Sequence, residues 1–483
     1  MSSSRTSKAD PFDSDIVIIG AGGAGLAAAI EAAETGARVT VLEKRRSPGG
    51  SSAMAVGLFA AESHIQKRMF IDASKTELFK RAMDYSHWKI DPWIVRPFIE
   101  KSADTISWME GLGIRFDTLR PLYPNQSPLT WHCIEGCGEA MIRTFVKKCE
   151  DLGVRLLCRA AAKKVLTNKR GKVAGVTATV DKKSLKIRTK AVIIATGGYG
   201  GSRRLLKKYF PSYHENMRLL GMPHTGDGIQ MAIEAGAATE GLGTLQLHGA
   251  YFPSSAVVNA AAKEPNTIWL NKNGMRFTDE TTTFSFPESG NAVDRQPEKV
   301  SYTLFDEEIK RNMMERGLIR GILHVPELMP QTRLVNLEAE LKKEAGKGRV
   351  KVSRSWSGIA DWMGIAPEVL KDTVKRYNDC CDRSFDDIFG KDLRYLNALR
   401  TPPFYGIRCY SSFLGTVGGI KISPAMEVLD TRGRPIPGLY AAGVDTGGWE
   451  GDTYNPALAG STLGFTIHSG RIAGENAAKH ASG

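Results

Sequence analysis

The chain has 483 residues, 42% of them apolar and 24% charged, which excludes a disordered or fibrous protein. It is too long for one compact core, so two domains are expected. Mean hydropathy is −0.23 and glycines and a glutamate interrupt even the most apolar run, at 16–33, so no membrane span is expected.

The net charge of +13 gathers at 163–190, which alternates like surface strands, and at 342–354, which reads as a solvated loop. With no aromatic interleaving, that placement points to solvated surface and to no nucleic-acid partner. Residues 1–15 are polar with no apolar core, so no secretory leader is expected and a cytoplasmic location is the simplest reading. The seven cysteines, at 133, 137, 149, 158, 380, 381 and 409, fit no metal or cluster spacing and are expected as reduced thiols. No Cys-x-x-Cys-His is present, so electrons must enter or leave through a separate partner.

In chain order, residues 15–20 read as a buried strand and run straight into Gly20-Ala21-Gly22-Gly23-Ala24-Gly25 and an alanine-rich helix to Ala33. Strand, tight turn and helix in this order place glycines where a pyrophosphate approaches backbone, and a helix N-terminus where its charge is offset. After Gly36 a second strand, 37–42, ends at Glu43, about 20 residues past the last glycine, where an acid binds ribose hydroxyls. A dinucleotide is therefore expected. The next segment is Lys44-Arg45-Arg46-Ser47-Pro48-Gly49-Gly50-Ser51-Ser52.

With that segment the sequence resembles the FAD-binding flavoproteins of the fumarate reductase and succinate dehydrogenase superfamily, and the resemblance runs nearly end to end. It implies an α/β fold: a Rossmann-like, glutathione-reductase-like FAD domain over 1–242 and 416–483, with an inserted α+β cap over 243–415. In the family the Gly-Gly-Ser loop wraps the pyrophosphate and passes the flavin. Some members attach FAD through a histidine there. The matching residue is Ser51, which implies non-covalent FAD.

Further along, 172–181 and 184–190 alternate like a hairpin, and a buried strand from Ala191 ends in Ala195-Thr196-Gly197-Gly198, the family's second FAD contact. Thr225-Gly226-Asp227-Gly228 opens a helix over 229–237, suited to a phosphate or flavin contact or to plain capping. The cap reads as helical and charged with few strand signals, with helices expected at 306–316, 336–344 and 367–378. The chain returns through Gly418-Gly419, through Gly443-Val444-Asp445 and through Gly460-Ser461-Thr462-Leu463-Gly464 into a last helix. The resemblance implies FAD contacts at Gly20, Gly22, Gly23, Ala24, Gly25, Glu43, Lys44, Gly49, Gly50, Ser51, Ser52, Gly57, Ala195, Thr196, Gly197, Asp227, Gly443, Asp445, Ser461, Thr462 and Leu463. Family members usually carry Glu or Asn where Val444 stands, with Asp445 next. No second GxGxxG with a following acid appears, so no nicotinamide site of the glutathione reductase kind is expected, and no metal site is expected either.

Fumarate reductases clamp two carboxylates and donate a proton from an arginine in a motif like Arg-Phe-x-x-Glu-x-x-Thr-Arg. Here Arg276-Phe277-Thr278-Asp279-Glu280 begins that motif, but Phe284 stands at the arginine, Gly415 at the clamp histidine and Ala457 at the C-terminal arginine, while His248 keeps its counterpart. Each lost charge-assisted hydrogen bond costs roughly 1.5–3 kcal/mol, which speaks against a fumarate reductase proper. The 3-ketosteroid dehydrogenase branch is similar in Tyr123-Pro124 and in a C-terminal tyrosine, here Tyr454, before Gly460. There the tyrosine hydroxyl and glycine amide bind a ketone oxygen. The branch's base falls at Phe284, which leaves Tyr123, His248, Tyr251 and His132 as substitutes; Trp131 and Trp449 either line an apolar pocket or anchor loops.

The expectation is an FAD-dependent oxidoreductase acting on a CH–CH bond beside a carbonyl, with a cyclic ketone or enone as substrate and a separate electron donor or acceptor. Two alternatives stand beside it. One is a reductase of another unsaturated acid, with Arg276 or Arg295 facing the flavin. The other is a flavoprotein whose cap has lost its chemistry.

Overall fold

A computed structural model describes residues 13–123, 126–321 and 326–483, so Pro124 of the Tyr123-Pro124 pair lies outside it. The chain divides into two compact units: Met1–Pro211 with Gly221–Leu245 and Gly415–Gly483, and Ser212–Leu220 with Gln246–Leu414.

The first unit is built on a six-stranded sheet in the order Glu427–Leu429, Pro435–Ala441, Ala191–Ile194, Ile16–Ile19, Val39–Leu42, Arg155–Leu157. All neighbours are parallel except the edge strand Glu427–Leu429. Ile16–Ile19 and Ala191–Ile194 are buried at every position, as continuous apolar runs must be when helices cover both faces of a parallel sheet. The Gly23–Glu34 helix returns the chain to Val39–Leu42, and the helix Ser461–Ser482 packs along it. This is a Rossmann-like FAD-binding fold. The expected hairpin is present as Val173–Val180 with Lys183–Arg188, turning through Asp181 and Lys182, both at positive φ as a two-residue hairpin turn requires. A third strand, Ala160–Thr167, extends it. The helix expected over 229–237 runs Asp227–Glu234.

The second unit holds far more strand than its charged sequence suggested. The long strand Phe404–Thr416 pairs with Arg218–Leu219, Val300–Phe305, Val350–Ser353 and Leu245–Tyr251, and Ile268–Leu270 pairs with Val300–Phe305. Val300–Phe305 is buried at all six positions, so it shows no alternation to read. The segment 342–354 is likewise not a loop. It comprises the end of the helix Leu337–Ala345, a turn and the strand Val350–Ser353, whose Val350 is 1% exposed. The three expected helices stand as Glu307–Glu315, Leu337–Ala345 and Pro367–Asp382. Among the described residues no helix is long and apolar enough to cross a membrane.

Candidate functional site

The glycine turn is fixed by close approach. A Cβ on Gly20 would lie 2.2 Å from the Ala195 carbonyl oxygen, so the first turn and the Ala195-Thr196 turn touch backbone to backbone. At Gly22, the residue before the helix, the nearest atom to such a Cβ is 3.9 Å away and no side chain caps the helix. The Glu43 carboxylate accepts from the amides of Ala21 (3.0 Å) and Arg45 (2.7 Å), which ties the acid to the glycine turn. The Gly49 amide donates to the Ala21 carbonyl (2.8 Å) and the Gly23 amide to Ser52 Oγ (3.1 Å), so the Gly-Gly-Ser-Ser loop lies against the helix start. Gly57 sits in a short strand packed on His132, whose carbonyl oxygen would be 2.3 Å from a Cβ there.

Asp445 is wholly buried and accepts from the Thr196 amide, from Thr196 Oγ1 (2.8 Å) and from the amides of Gly197 (3.2 Å) and Gly198 (2.8 Å). Burial pushes its carboxyl up and the four donors oppose that. Its oxygens hold the Ala195–Gly198 turn in shape, while the Gly443 amide is tied to Ser469 Oγ at 2.9 Å. Lys44 reaches Thr225 Oγ1 (2.7 Å) and Asp227 (2.8 Å). Burial pushes the Asp227 carboxyl up, but the Lys44 and Thr225 hydrogen bonds outweigh it and hold it below the usual carboxylate range.

One residue here escaped sequence reading. His224, just before Thr225-Gly226-Asp227-Gly228, places Nε2 3.0 Å from Ser51 Oγ and its ring against Gly197. Burial, then the charges of Arg45 and Lys44, lower its pKa to about 4, so it is neutral near pH 7. Its position directly before a Thr-Gly-Asp-Gly helix start was the available signal.

The last helix begins at Gly460, at φ +85° and with no side-chain cap. A Cβ there would lie 2.7 Å from Leu58 C, Phe59 N and Trp131 Cδ1, so only glycine lets the helix start press on the strands Gly57–Phe59 and Trp131–Ile134. Ser461 and Leu463 are buried in its first turn. Tyr454, six residues earlier, still reaches this point: the Ser461 hydroxyl donates to its Oη at 3.0 Å. Burial, then Glu450's charge, push the Tyr454 phenol up, so it is a neutral O–H donor. Trp131 packs with Cys133 and Ala459, with Val56 and Leu122 against them, an apolar wall next to Tyr123 in the chain. Trp449 stacks on Phe465 at 4.4 Å and donates to the Thr446 carbonyl, so it anchors the loop. His132 is fully buried with Nε2 2.7 Å from Ser63 Oγ and Nδ1 3.0 Å from the Thr130 carbonyl, and burial lowers its pKa to about 4. Both nitrogens are engaged and no solvent reaches them, so His132 is withdrawn as a proton carrier.

In the second unit, His248 stacks on Phe286 at 4.0 Å, and the Arg320 guanidinium lies 5.5 Å from the same ring. Tyr251 is half-buried at the end of the same strand. Arg276 is an interior residue: it donates to Glu280 (3.0 and 2.9 Å) and Asp386 (3.0 Å) and lies over the rings of Tyr377 and Phe389. Lys391 completes the cluster, 3.0 Å from Glu280. The expectation that Arg276 could face a flavin is therefore corrected, since buried carboxylates hold it in the core. Arg295 is exposed at the end of the helix Phe286–Asp294. Asp279 caps the turn that follows it, whereas Glu280 does not.

An FAD binding domain model matches residues 15–463. Vinyl phenol reductase of Lactiplantibacillus plantarum is 34% identical, across 96% of this chain and 96% of its own length. The open conformation of a flavocytochrome c3 fumarate reductase superposes with a TM-score of 0.75 at 25% identity, over 98% of this chain and 79% of that one. The 3-ketosteroid delta1-dehydrogenase from Sterolibacterium denitrificans superposes with a TM-score of 0.80 at 18% identity, over 97% of this chain and all of that one.

Proposed function

Because the chain belongs to the FAD-binding-domain family and is an FAD-dependent oxidoreductase acting on carbon–carbon double bonds, we propose that it reduces an alkene conjugated to a carbonyl or, through its dienone tautomer, to a phenol. The residues fit FAD. The opening at Gly22 is a cradle that any Cβ would narrow, the helix behind it has no side-chain cap, and Glu43, tied to the glycine turn, would face the ribose. The Gly49–Ser52 loop, the Ala195–Gly197 turn, Asp227 and the uncapped start at Ser461–Leu463 would complete the holding set, with Gly443 and Asp445 shaping it from behind. Bound FAD supplies two electrons with a proton, as a hydride, to one alkene carbon.

A hydroxyphenyl alkene is the enol tautomer of a vinylogous enone. Moving its phenolic proton to the terminal carbon turns it into a dienone whose exocyclic double bond accepts hydride, and negative charge then returns to oxygen. Tyr454 and the Gly460 helix start would supply what that oxygen needs: a neutral phenol donor beside a positive helix end. The apolar wall of Trp131, Ala459, Val56 and Leu122 suits a flat ring. Phe284, Gly415 and Ala457 offer no charge to a dicarboxylate.

The observation that carries this reading is the Ser461–Tyr454 hydrogen bond, which sets the phenol at the helix start across the six residues between Tyr454 and Gly460. The same pair also suits the reverse reaction, desaturation of a cyclic ketone. The test is anaerobic: dithionite-reduced protein is mixed with 4-vinylphenol, 2-cyclohexenone or fumarate while the return of oxidised flavin absorbance is followed. Reoxidation by the first two and not by fumarate is expected. Reoxidation by fumarate alone would overturn the reading, and bleaching of oxidised protein by a saturated ketosteroid would favour desaturation.

A further inference from the structure

Residues 222–227 run between two of the FAD-holding turns and are fixed to each by a different kind of bond. On one side the bonds are backbone: the Gly201 amide donates to the His224 carbonyl (2.7 Å) and the Gly226 amide to the Gly198 carbonyl (3.0 Å). On the other side, toward residues 44–52, every hydrogen bond among the described residues uses a side chain. Lys44 donates to Thr225 Oγ1 (2.7 Å) and Asp227 (2.8 Å), and Arg45 Nη1 lies 3.9 Å from Met222 Sδ. Ser51 Oγ accepts from the Met222 amide (3.4 Å) and lies 3.0 Å from His224 Nε2. Lys44 and Asp227 are each a third or more exposed, so water and salt weaken that pair. The Ser51–His224 bond joins neutral groups and escapes such screening.

Two glycines set the place of that bond. A Cβ on Gly197 would lie 2.9 Å from the imidazole, so bare backbone is what lets the ring rest on this turn. A Cβ on Gly50 would lie 3.7 Å from His224 Cε1 and 3.8 Å from Gly22 Cα, which sets the imidazole beside the cradle suited to a pyrophosphate. The ring is neutral near pH 7, because burial and then the charges of Arg45 and Lys44 disfavour the imidazolium. One ring nitrogen therefore carries hydrogen and the other does not. Nδ1 has no hydrogen-bond partner among the described residues, and Nε2 has only Ser51. With hydrogen on Nε2, Ser51 Oγ accepts from both Met222 and His224, and its two lone pairs are filled. The Ser51 hydrogen then has no acceptor among the described residues, and an anion in the Gly22 cradle would supply one.

We propose that His224 is a positioning residue for FAD: its Nε2–H donates to Ser51 Oγ and so turns the Ser51 hydroxyl hydrogen toward an anionic oxygen of the bound pyrophosphate. The inference rests on the FAD-holding set named above and on no choice of substrate. His224 itself need not touch the cofactor. It fixes a hydroxyl that would otherwise rotate or give its hydrogen to Nε2.

The experiment compares FAD dissociation constants, read from flavin fluorescence during titration of the apoprotein, for the wild type, S51A, H224F, H224Q and S51A/H224F. Phenylalanine keeps a ring against Gly197 but has no donor, whereas glutamine offers an amide N–H to Ser51. S51A and H224F should each weaken FAD binding by about 10-fold, the lower end for one hydrogen bond to a charged group. The double variant should bind no more weakly than S51A alone, and H224Q should stay close to the wild type. A wild-type constant in H224F beside a weakened S51A overturns the role of His224 and leaves the FAD-holding set standing. A wild-type constant in S51A removes Ser51 from that set and the proposal with it, and losses that add in the double variant show that the two residues do not act through one bond. The second readout is the tautomer. In FAD-loaded protein carrying isotope-labelled histidine, nitrogen NMR should show the His224 signal, identified by its loss in H224Q, as a neutral ring with hydrogen on Nε2. Hydrogen on Nδ1 overturns the proposal even where H224F does not fold.

Discussion

Asp445 and Lys263 show opposite ways of burying charge. Asp445 answers four donors of the Thr196–Gly198 turn, so Asp445→Ala strands buried amides, each worth about 1–3 kcal/mol when unsatisfied. A loss of roughly 3–5 kcal/mol in urea unfolding and poor retention of FAD are expected; unchanged flavin content on purification would show that the turn needs no such clamp. Lys263, in the second unit, is 5% exposed and has no acidic partner among the described residues. Burial, then the charge of Arg320, lower its pKa from 10.5 to about 7. Below that value the folded state carries a buried ammonium, at a cost of about 5 kcal/mol. Between about pH 7 and 10.5 the unfolded chain binds the extra proton, so the cost shrinks as pH rises, to about 2 kcal/mol at pH 9. Lys263→Met should therefore stabilise the protein more at about pH 6 than at about pH 9, measured as the shift in urea midpoint; a pH-independent gain would mean that packing and not charge is relieved. At the reacting end, Tyr454→Phe should lower single-turnover reoxidation by about 100-fold, the usual loss of one oxyanion donor, with FAD content intact.

At the scale of elements, the two helices Gly23–Glu34 and Ser461–Ser482 approach so closely because glycines face backbone. A Cβ would lie 2.4 Å from the Ala24 carbonyl oxygen at Gly470 and 2.5 Å from that of Ala28 at Gly474. Gly474→Val must push the helices apart, at about 1–3 kcal/mol for overpacking, and shift the Gly460 start on which Tyr454 and the FAD contacts depend. Coupled losses of thermal stability and FAD affinity are expected, and loss of stability alone would separate the two helix ends. These elements were legible because their signals are local. Ile16–Ile19, the glycine turn and Glu43 follow one another within a few turns of chain, and Asp181-Lys182 lies between two alternating runs. Val300–Phe305 was not legible, since a strand buried on both faces has no alternation, and neither was Val350–Ser353, whose strand character comes from pairing with Phe404–Thr416. The site divides in the same way. Gly460 and Tyr454 carry their own pattern, whereas the partners of Asp445 and His224, and Asp386 beside Arg276, lie far along the chain, so only the folded structure shows that they brace turns and cores.

For the whole molecule, the division into two units means that stability is held in two separate cores, and a lesion in one can be followed against the other. The second unit's core contains two acids, Glu280 and Asp386, and two cations, Arg276 and Lys391, with side chains no more than 4% exposed. Burial pushes the Glu280 carboxyl up, but Lys391 and Arg276 outweigh it, so its pKa ends below the ordinary 4.5. A carboxyl depressed on folding contributes stability that is present above its unfolded value and is lost as pH falls through the folded one, so this unit should weaken in acid. Removing the central acid is more severe, because Glu280→Ala leaves two buried cations facing one carboxylate, and breaking such a network costs about 3–5 kcal/mol. Flavin fluorescence reports release of FAD from the first unit, while circular dichroism reports both units. In Glu280→Ala an early circular dichroism transition should move down in temperature, with FAD release staying close to the wild-type temperature. If both signals move together, the two units unfold as one cooperative body and the ion cluster supports the flavin site from a distance.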